Sequence, residues 1–227
     1  MRTLEELDIA VAGCRACPRL VEWRERVAGT KAAFRGEEYW ARPVPGFGPP
    51  DATLAVVGLA PSAHGANRTG RMFTGDPSGD FLFRVLHEVG LASQPTSTAL
   101  GDGLELYGTR LVSPVRCAPP ENKPTPAERD TCRAWLAEEL TLLRPTLRSI
   151  VVLGAFGWQA LLPVLAAAGW PVPSPRPAFG HGAVLELGDL RIFGCYHVSP
   201  RNVQTGLLTH TMVADVFRAA TSVTASD

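Results

Sequence analysis

Short apolar runs alternate with stretches that repeat at helical spacing. Residues 3–12 and 18–28 predict two helices. A Pro/Gly-rich loop follows over 36–50 and carries Tyr39, Trp40 and Phe47. Residues 53–57 read as a buried strand and 58–79 as a long Gly-rich loop. Residues 81–89 place apolar side chains at helical spacing, and 107–112 read as a second strand. Thr125-Pro126-Ala127-Glu128 has the form of a capping box with proline at the first helical position. It predicts a helix running to about Leu143, before Pro145. Residues 150–153 predict a third strand with a helix after it. Residues 184–187 and 191–196 flank Gly188-Asp189, a hairpin signal. A last helix is expected over 205–220, then a frayed polar tail over 221–227.

Strands that alternate with helices predict an α/β fold with a mostly parallel sheet. Ligands on such sheets bind beyond the carboxyl ends of the strands. The loops after Val57, Val112 and Tyr196 leave those ends, so one site built from them is expected.

The chain has 227 residues, enough to bury roughly 70–75% of its unfolded surface without covalent staples. One domain over 1–227 is expected. Hydrophobic residues make up 45% and charged residues 19%, which excludes a disordered acidic or collagen-like chain. Lys+Arg equals Asp+Glu at 22, so no global field favours nucleic acid. The charge is unevenly placed: 52–75 carries Arg68 and Arg71 and no acid, and 190–212 carries Arg191 and Arg201 and no acid. Only Lys31 and Lys123 are lysines. Abundant Arg and Pro with few amides lean toward a thermophile. Acidic residues soon after Arg2 argue against a secretory signal. The uncharged stretch 149–175 is long enough to span a bilayer, but Gly154, Gly157, Pro163 and Gly169 interrupt it. A buried strand–helix unit is the better reading, and a cytoplasmic monomer with no membrane contact is expected.

Five cysteines cannot all pair. Cys14 and Cys17 form a CxxC, and Cys117 and Cys132 follow. Four thiolates suit either tetrahedral zinc or an iron–sulfur cluster. Cys195 lies in an apolar strand and reads as core. The loop GLAPSAHGANRTGRMFTGD, 58–76, is the most distinctive stretch. Its glycines permit close backbone approach. Arg68 and Arg71 are candidate phosphate contacts, Phe73 a stacking platform, and His64, Asn67 and Asp76 polar substrate contacts. Neither a GxGxxG nor a Walker pattern occurs, so no nucleotide cofactor is expected. Later, HVSPRNV (197–203) follows the last strand. His197 there suits donation to developing negative charge.

Together these segments resemble the uracil-DNA glycosylase superfamily, specifically its family 5. The long first motif is specific, and HVSP resembles that family's HPSP with Val198 in place of proline. The cysteine spacing and the Pro119-Pro120-Glu121-Asn122 loop resemble its iron–sulfur branches. The resemblance implies a three-layer α/β/α sandwich around a four-stranded, mostly parallel sheet. It implies a structural [4Fe–4S] cluster on Cys14, Cys17, Cys117 and Cys132. It implies hydrolysis of the N-glycosidic bond of uracil, and of deaminated bases such as hypoxanthine, in DNA, with the nucleotide flipped into a pocket. Gly58, Leu59, Ala60, Pro61, His64, Phe73 and Asn122 would bind the base. His197 would donate to the leaving uracil, with Asn122 and Asp76 as further catalytic candidates. Arg68, Arg71, Ser199, Pro200, Arg201, Asn202 and Val203 would hold the DNA. Leu59 and Ala60 stand where other families carry a polar group that activates water, which points to a dissociative mechanism. The rival readings are a non-catalytic, metal-stabilised lesion-binding module and a zinc hydrolase.

Overall fold

The computed structural model describes residues 2–222. In chain order the elements are α1 (Leu4–Ala12), α2 (Pro18–Arg26), β1 (Leu54–Val57), α3 (Ala66–Thr69), α4 (Pro77–Glu88), β2 (Thr109–Val112), α5 (Pro126–Leu143), β3 (Ser149–Leu153), α6 (Ala155–Ala167), β4 (Val184–Leu187), β5 (Leu190–Cys195), α7 (Pro200–Gln204) and α8 (His210–Ser222).

The sheet order is β2-β1-β3-β5-β4. The first four strands of that order run parallel; β4 is antiparallel to β5. The register aligns Leu54 with both Thr109 and Ser149, and Ser149 with Arg191. The sheet thus has five strands where the family resemblance implies four. The additional one is the hairpin partner β4, whose alternating exposed and buried residues mark a sheet edge.

Side-chain alternation splits the core into two layers. Ala55, Val57, Ile150, Val152 and Ile192 pack with Leu7 of α1, Leu136 and Leu140 of α5, and Leu161 and Leu165 of α6. Leu54, Val56, Val151, Leu153 and Phe193 pack with Leu82 and Leu86 of α4, and Val213 and Phe217 of α8. Helices therefore cover both faces. The stretch 149–175 is β3 and α6 of this core, and no helix among the described residues is long and apolar enough to cross a membrane.

Capping chemistry sets the helix starts. Thr3 with Glu6 and Thr125 with Glu128 complete capping boxes at α1 and α5, each cap stabilising by about 1 kcal/mol. Asp76 caps α4, so that helix begins at Pro77 rather than 81. β2 begins at Thr109, because Gly108 turns with φ 54 just before it. The helix expected over 205–220 is α8, which starts only at His210 because the chain turns at left-handed Gly206, and it runs on to Ser222; a short additional helix, α7, precedes that turn. Thr221 and Ser222 are thus helical; the rest of the expected tail lies outside the described residues.

A buried chain of charges ties α1, β2 and α5 together. Arg110 meets Asp8 at 2.7 Å and Glu139 at 2.6 Å, and Glu139 also pairs with Arg116. Arg110, Arg116 and Glu139 are all buried, so each charge needs the others.

Candidate active site and cysteine centre

The loops leaving β1, β2 and β5 meet at the carboxyl end of the sheet, around a cavity of about 300 Å³. Its walls include Gly58, Leu59, Ala60, Pro61, Ser62, Phe73, Asp76, Asn122, His197, Ser199 and Pro200. The volume fits one ring-sized ligand.

The loop after β1 folds back so that Phe73 lies over Gly58. A Cβ on Gly58 would come within 2.8 Å of the Phe73 ring. Phe73 itself has φ 53, and a Cβ on Gly79 would collide with its carbonyl oxygen. Asn122 is a second non-glycine residue at positive φ, 56°, at the cavity mouth. Backbone strain of this kind costs roughly 1–3 kcal/mol per residue and concentrates at functional sites.

Asp76 both caps α4 and faces the cavity. Its Oδ1 accepts from the Gly79 N–H at 3.0 Å, and its Oδ2 accepts from the Ser62 hydroxyl. Gly65 leaves room for that pair, since a Cβ there would strike both side chains. His197 follows β5 and packs against left-handed Gly154, where an added Cβ would lie 3.3 Å from the histidine Cβ. Burial lowers the His197 pKa from 6.5, with the Asp76 charge partly offsetting the shift, so the ring is neutral near pH 7. Its carbonyl accepts from Asn202 Nδ2 at 2.8 Å, while Ser199 caps α7. Val198 is fully buried. Arg201 is exposed on α7, and Val203 is half-buried beside it.

Several residues expected at the site stand elsewhere. Arg71 is buried, held by Asp102 at 2.6 Å, Ser97 and Thr74. It cannot reach a phosphate without breaking that network, so its assignment to DNA is corrected. Arg68 is mostly buried and committed to Glu37 at 2.7 Å and to the His64 and Gly75 carbonyls. His64 does not line the cavity; its Nδ1 meets the Tyr39 hydroxyl at 2.9 Å. Asn67 is fully buried and donates to the Arg24 carbonyl at 3.1 Å, facing α2 rather than substrate. In return, Ser62, Ser78 and Ser113 line the cavity without having been singled out. Serines in a Gly-rich loop carry no distinguishing signal in sequence.

A second, smaller hollow is separate from this cavity. Cys14, Cys17, Cys117 and Cys132 all line it, together with Arg24 and Arg116. Arg24 Nη1 donates to Cys117 Sγ at 2.9 Å, and the Arg116 N–H to Cys132 Sγ at 3.4 Å. Both guanidinium groups are buried, and Arg24 Nε and Arg116 Nε and Nη1 find no acceptor among the described residues. Burial pushes the Cys117 thiol up to about 12 and Cys132 to about 11. Among the described residues, no three Cys, His, Asp or Glu side chains converge as a single metal ion requires. Cys195 is in the core, with its thiol pushed up to about 12 by burial.

A cavity at the carboxyl end of a mostly parallel α/β sandwich, walled by a glycine-rich loop and a histidine loop, marks an α/β protein with its candidate site where such folds bind ligands. The uracil DNA glycosylase superfamily pattern matches residues 45–221. A type-5 uracil-DNA glycosylase of Mycobacterium tuberculosis is 54% identical over 217 residues, covering 95% of this chain and 80% of that protein. One from Thermus thermophilus is 53% identical over 211 residues, 92% of this chain and 93% of its own length. A type-4 uracil-DNA glycosylase of Archaeoglobus fulgidus is 28% identical over 160 residues, 70% of this chain and 63% of its own. The chain belongs to the uracil DNA glycosylase superfamily and, within it, to the type-5 uracil-DNA glycosylases.

Proposed function

We propose that this chain is a DNA repair glycosylase that excises uracil, and hypoxanthine as a second deaminated base, leaving an abasic site. The observation that carries the reading is the convergence of Phe73, Asp76, Asn122 and His197 on one ring-sized cavity. A base inside a duplex cannot reach such a cavity, so the nucleotide is flipped out. Phe73 stacks on the flipped ring, and Asn122 reads its polar edge at the mouth. Neutral His197 donates to the leaving O2 as negative charge develops there. Leu59 and Ala60 line the wall and offer no base. Bond cleavage therefore leads, and the Asp76 carboxylate stabilises the oxocarbenium-like sugar and orients the water that captures it. An acid inside the cavity favours catalysis over a module that only binds. The exposed α7 segment, with Arg201, enters the duplex beside the lesion.

We infer that the cysteine hollow holds a [4Fe–4S] cluster. Cys14, Cys17, Cys117 and Cys132 line one hollow, so four thiolates face a common space. A [4Fe–4S] cluster is held by four thiolates. Its anionic sulfides also supply acceptors to Arg24 and Arg116, whose buried donors lack them. When bound, the cluster cross-links the segment after α1, the loop after β2 and α5.

Purified brown protein should release free base from oligonucleotides carrying uracil or hypoxanthine, single- or double-stranded, without added cofactor. Release of neither base refutes the enzyme reading.

A further inference from the structure

Arg71 is held by the largely buried Asp102 and Arg68 pairs with the exposed Glu37, which leaves open how the chain grips the DNA backbone beside the cavity. His64, two residues on from the cavity-lining Ser62, belongs to a compact aromatic and cationic cluster. Phe34 is its platform: the Arg68 guanidinium carbon lies 4.0 Å from the ring centroid and Lys31 Nζ 4.9 Å. The His64 ring stands 6.3 Å from Phe34 and edge-on to Tyr39 at 6.1 Å. Tyr39 is buried, and its hydroxyl meets His64 Nδ1 at 2.9 Å.

We propose that His64, with Lys31, forms a phosphodiester-binding site for the strand that enters the cavity. The proposal rests on the glycosylase reading above and assigns one contact within it. Chemistry and geometry both point that way. A buried phenol hydroxyl needs a partner, and donation to Nδ1 puts the ring proton on Nε2. Among the described residues Nε2 has no acceptor, so it is a free, oriented donor. Arg68 pairs with Glu37 at 2.7 Å, stacks on Phe34 and donates to the His64 carbonyl, so it serves as scaffold. No carboxylate pairs with Lys31 among the described residues, so its charge is the uncompensated one. Burial first, then the nearby Lys31 and Arg68 charges, lowers the His64 pKa from 6.5, so the ring is neutral near pH 7. His64 lies between Ser62 and Ala66, both cavity-lining, so the anion held is a linkage next to the flipped nucleotide. Lys and His donors on phosphate position the strand and carry no sequence information, as a repair enzyme requires.

The test uses uracil oligonucleotides in which one phosphodiester at a time is a neutral methylphosphonate. Affinity is read with the intact holoprotein, and excision is read in parallel. For the wild type, one linkage beside the uracil should weaken binding about tenfold, the factor that one charge-assisted hydrogen bond supplies. In His64→Ala that same substitution should cost almost nothing further, and the loss in kcat/KM should be carried by KM. Lys31 is exposed, so Lys31→Ala is the variant least able to disturb folding. It should lower the slope of log affinity against log salt by about one. If the methylphosphonate penalties are the same in wild type and both variants, the site does not bind phosphate. A wild-type chain that binds the oligonucleotide and leaves its uracil in place refutes the excision reading. The binding comparison then still decides the phosphate site.

Discussion

Gly58 offers the sharpest test of how the cavity is built. Its N–H donates to the Val112 carbonyl at 2.9 Å, so it is anchored at the end of β1. Its backbone is not in the left-handed region, so only space opposes a side chain. A Cβ would lie 2.8 Å from Cζ and 3.2 Å from Cε2 of Phe73. Ordinary carbon contact is about 3.6 Å, so the ring tip must retreat by about 0.8 Å. It has little room to do so, because the Phe73 backbone is itself pressed against Gly79. Overpacking of this kind costs about 1–3 kcal/mol, which lowers Tm by roughly 2–12 °C in a chain of this size. The functional effect is larger: moving a stacking wall by nearly 1 Å misplaces the base and should cut kcat/KM about 100-fold. Single-turnover uracil release with Gly58→Ala measures this directly. The Ala penalty should shrink in a Phe73→Leu background, since the clash is with the ring edge. If Gly58→Ala stays within about threefold of wild type, or its penalty is unchanged beside Phe73→Leu, Phe73 is not the wall that positions the base.

Three further outcomes are expected. His197 has its pKa lowered by burial, with the Asp76 charge partly offsetting it. The acid limb of kcat/KM should therefore fall below pH 6.5 and move lower still in Asp76→Asn; a limb above 6.5 would show that another group controls it. The Asp102 carboxyl is held far below the usual carboxylate range by its hydrogen bonds to Arg71, then by backbone N–H groups. A depressed pKa adds stability above the unfolded value and loses it as pH falls through the folded one. Asp102→Asn should thus lower Tm at pH 7, and the difference should narrow below about pH 4; a pH-independent difference would remove the charge argument. Cys117→Ser should abolish the brown colour and bound iron, whereas Cys195→Ala should keep both and lose only packing stability. Equal iron in all three proteins would move the cluster away from this hollow.

What was legible in the chain and what was not divides along physical lines. Helix starts were legible at Thr125, because a capping box is written entirely in local residues. The central strands β1 and β3 were legible because a strand covered on both faces is a nearly continuous apolar run. The start of the last helix was not: Gly206 turns the chain before it, yet a single glycine at the edge of a helical pattern is tolerated too often to decide. The site loops were legible as a set, since their glycines and aromatics are dense. The roles inside them were not. Arg71 and Arg201 look alike in sequence, and each follows a loop polar enough for DNA. What separates them is Asp102, 31 residues downstream of Arg71 and bound to it only after the chain has folded. Arg24 shows the converse. It sits two turns after Cys17 on α2 and reads as a surface cation, but the fold buries it against Cys117, 93 residues away. Charge class is a local property, whereas the partner that decides what a charge does is a long-range one. For this chain the consequence is specific. Lys31 and Arg201 are exposed and have no carboxylate partner among the described residues, so both should contribute to the salt dependence of DNA binding.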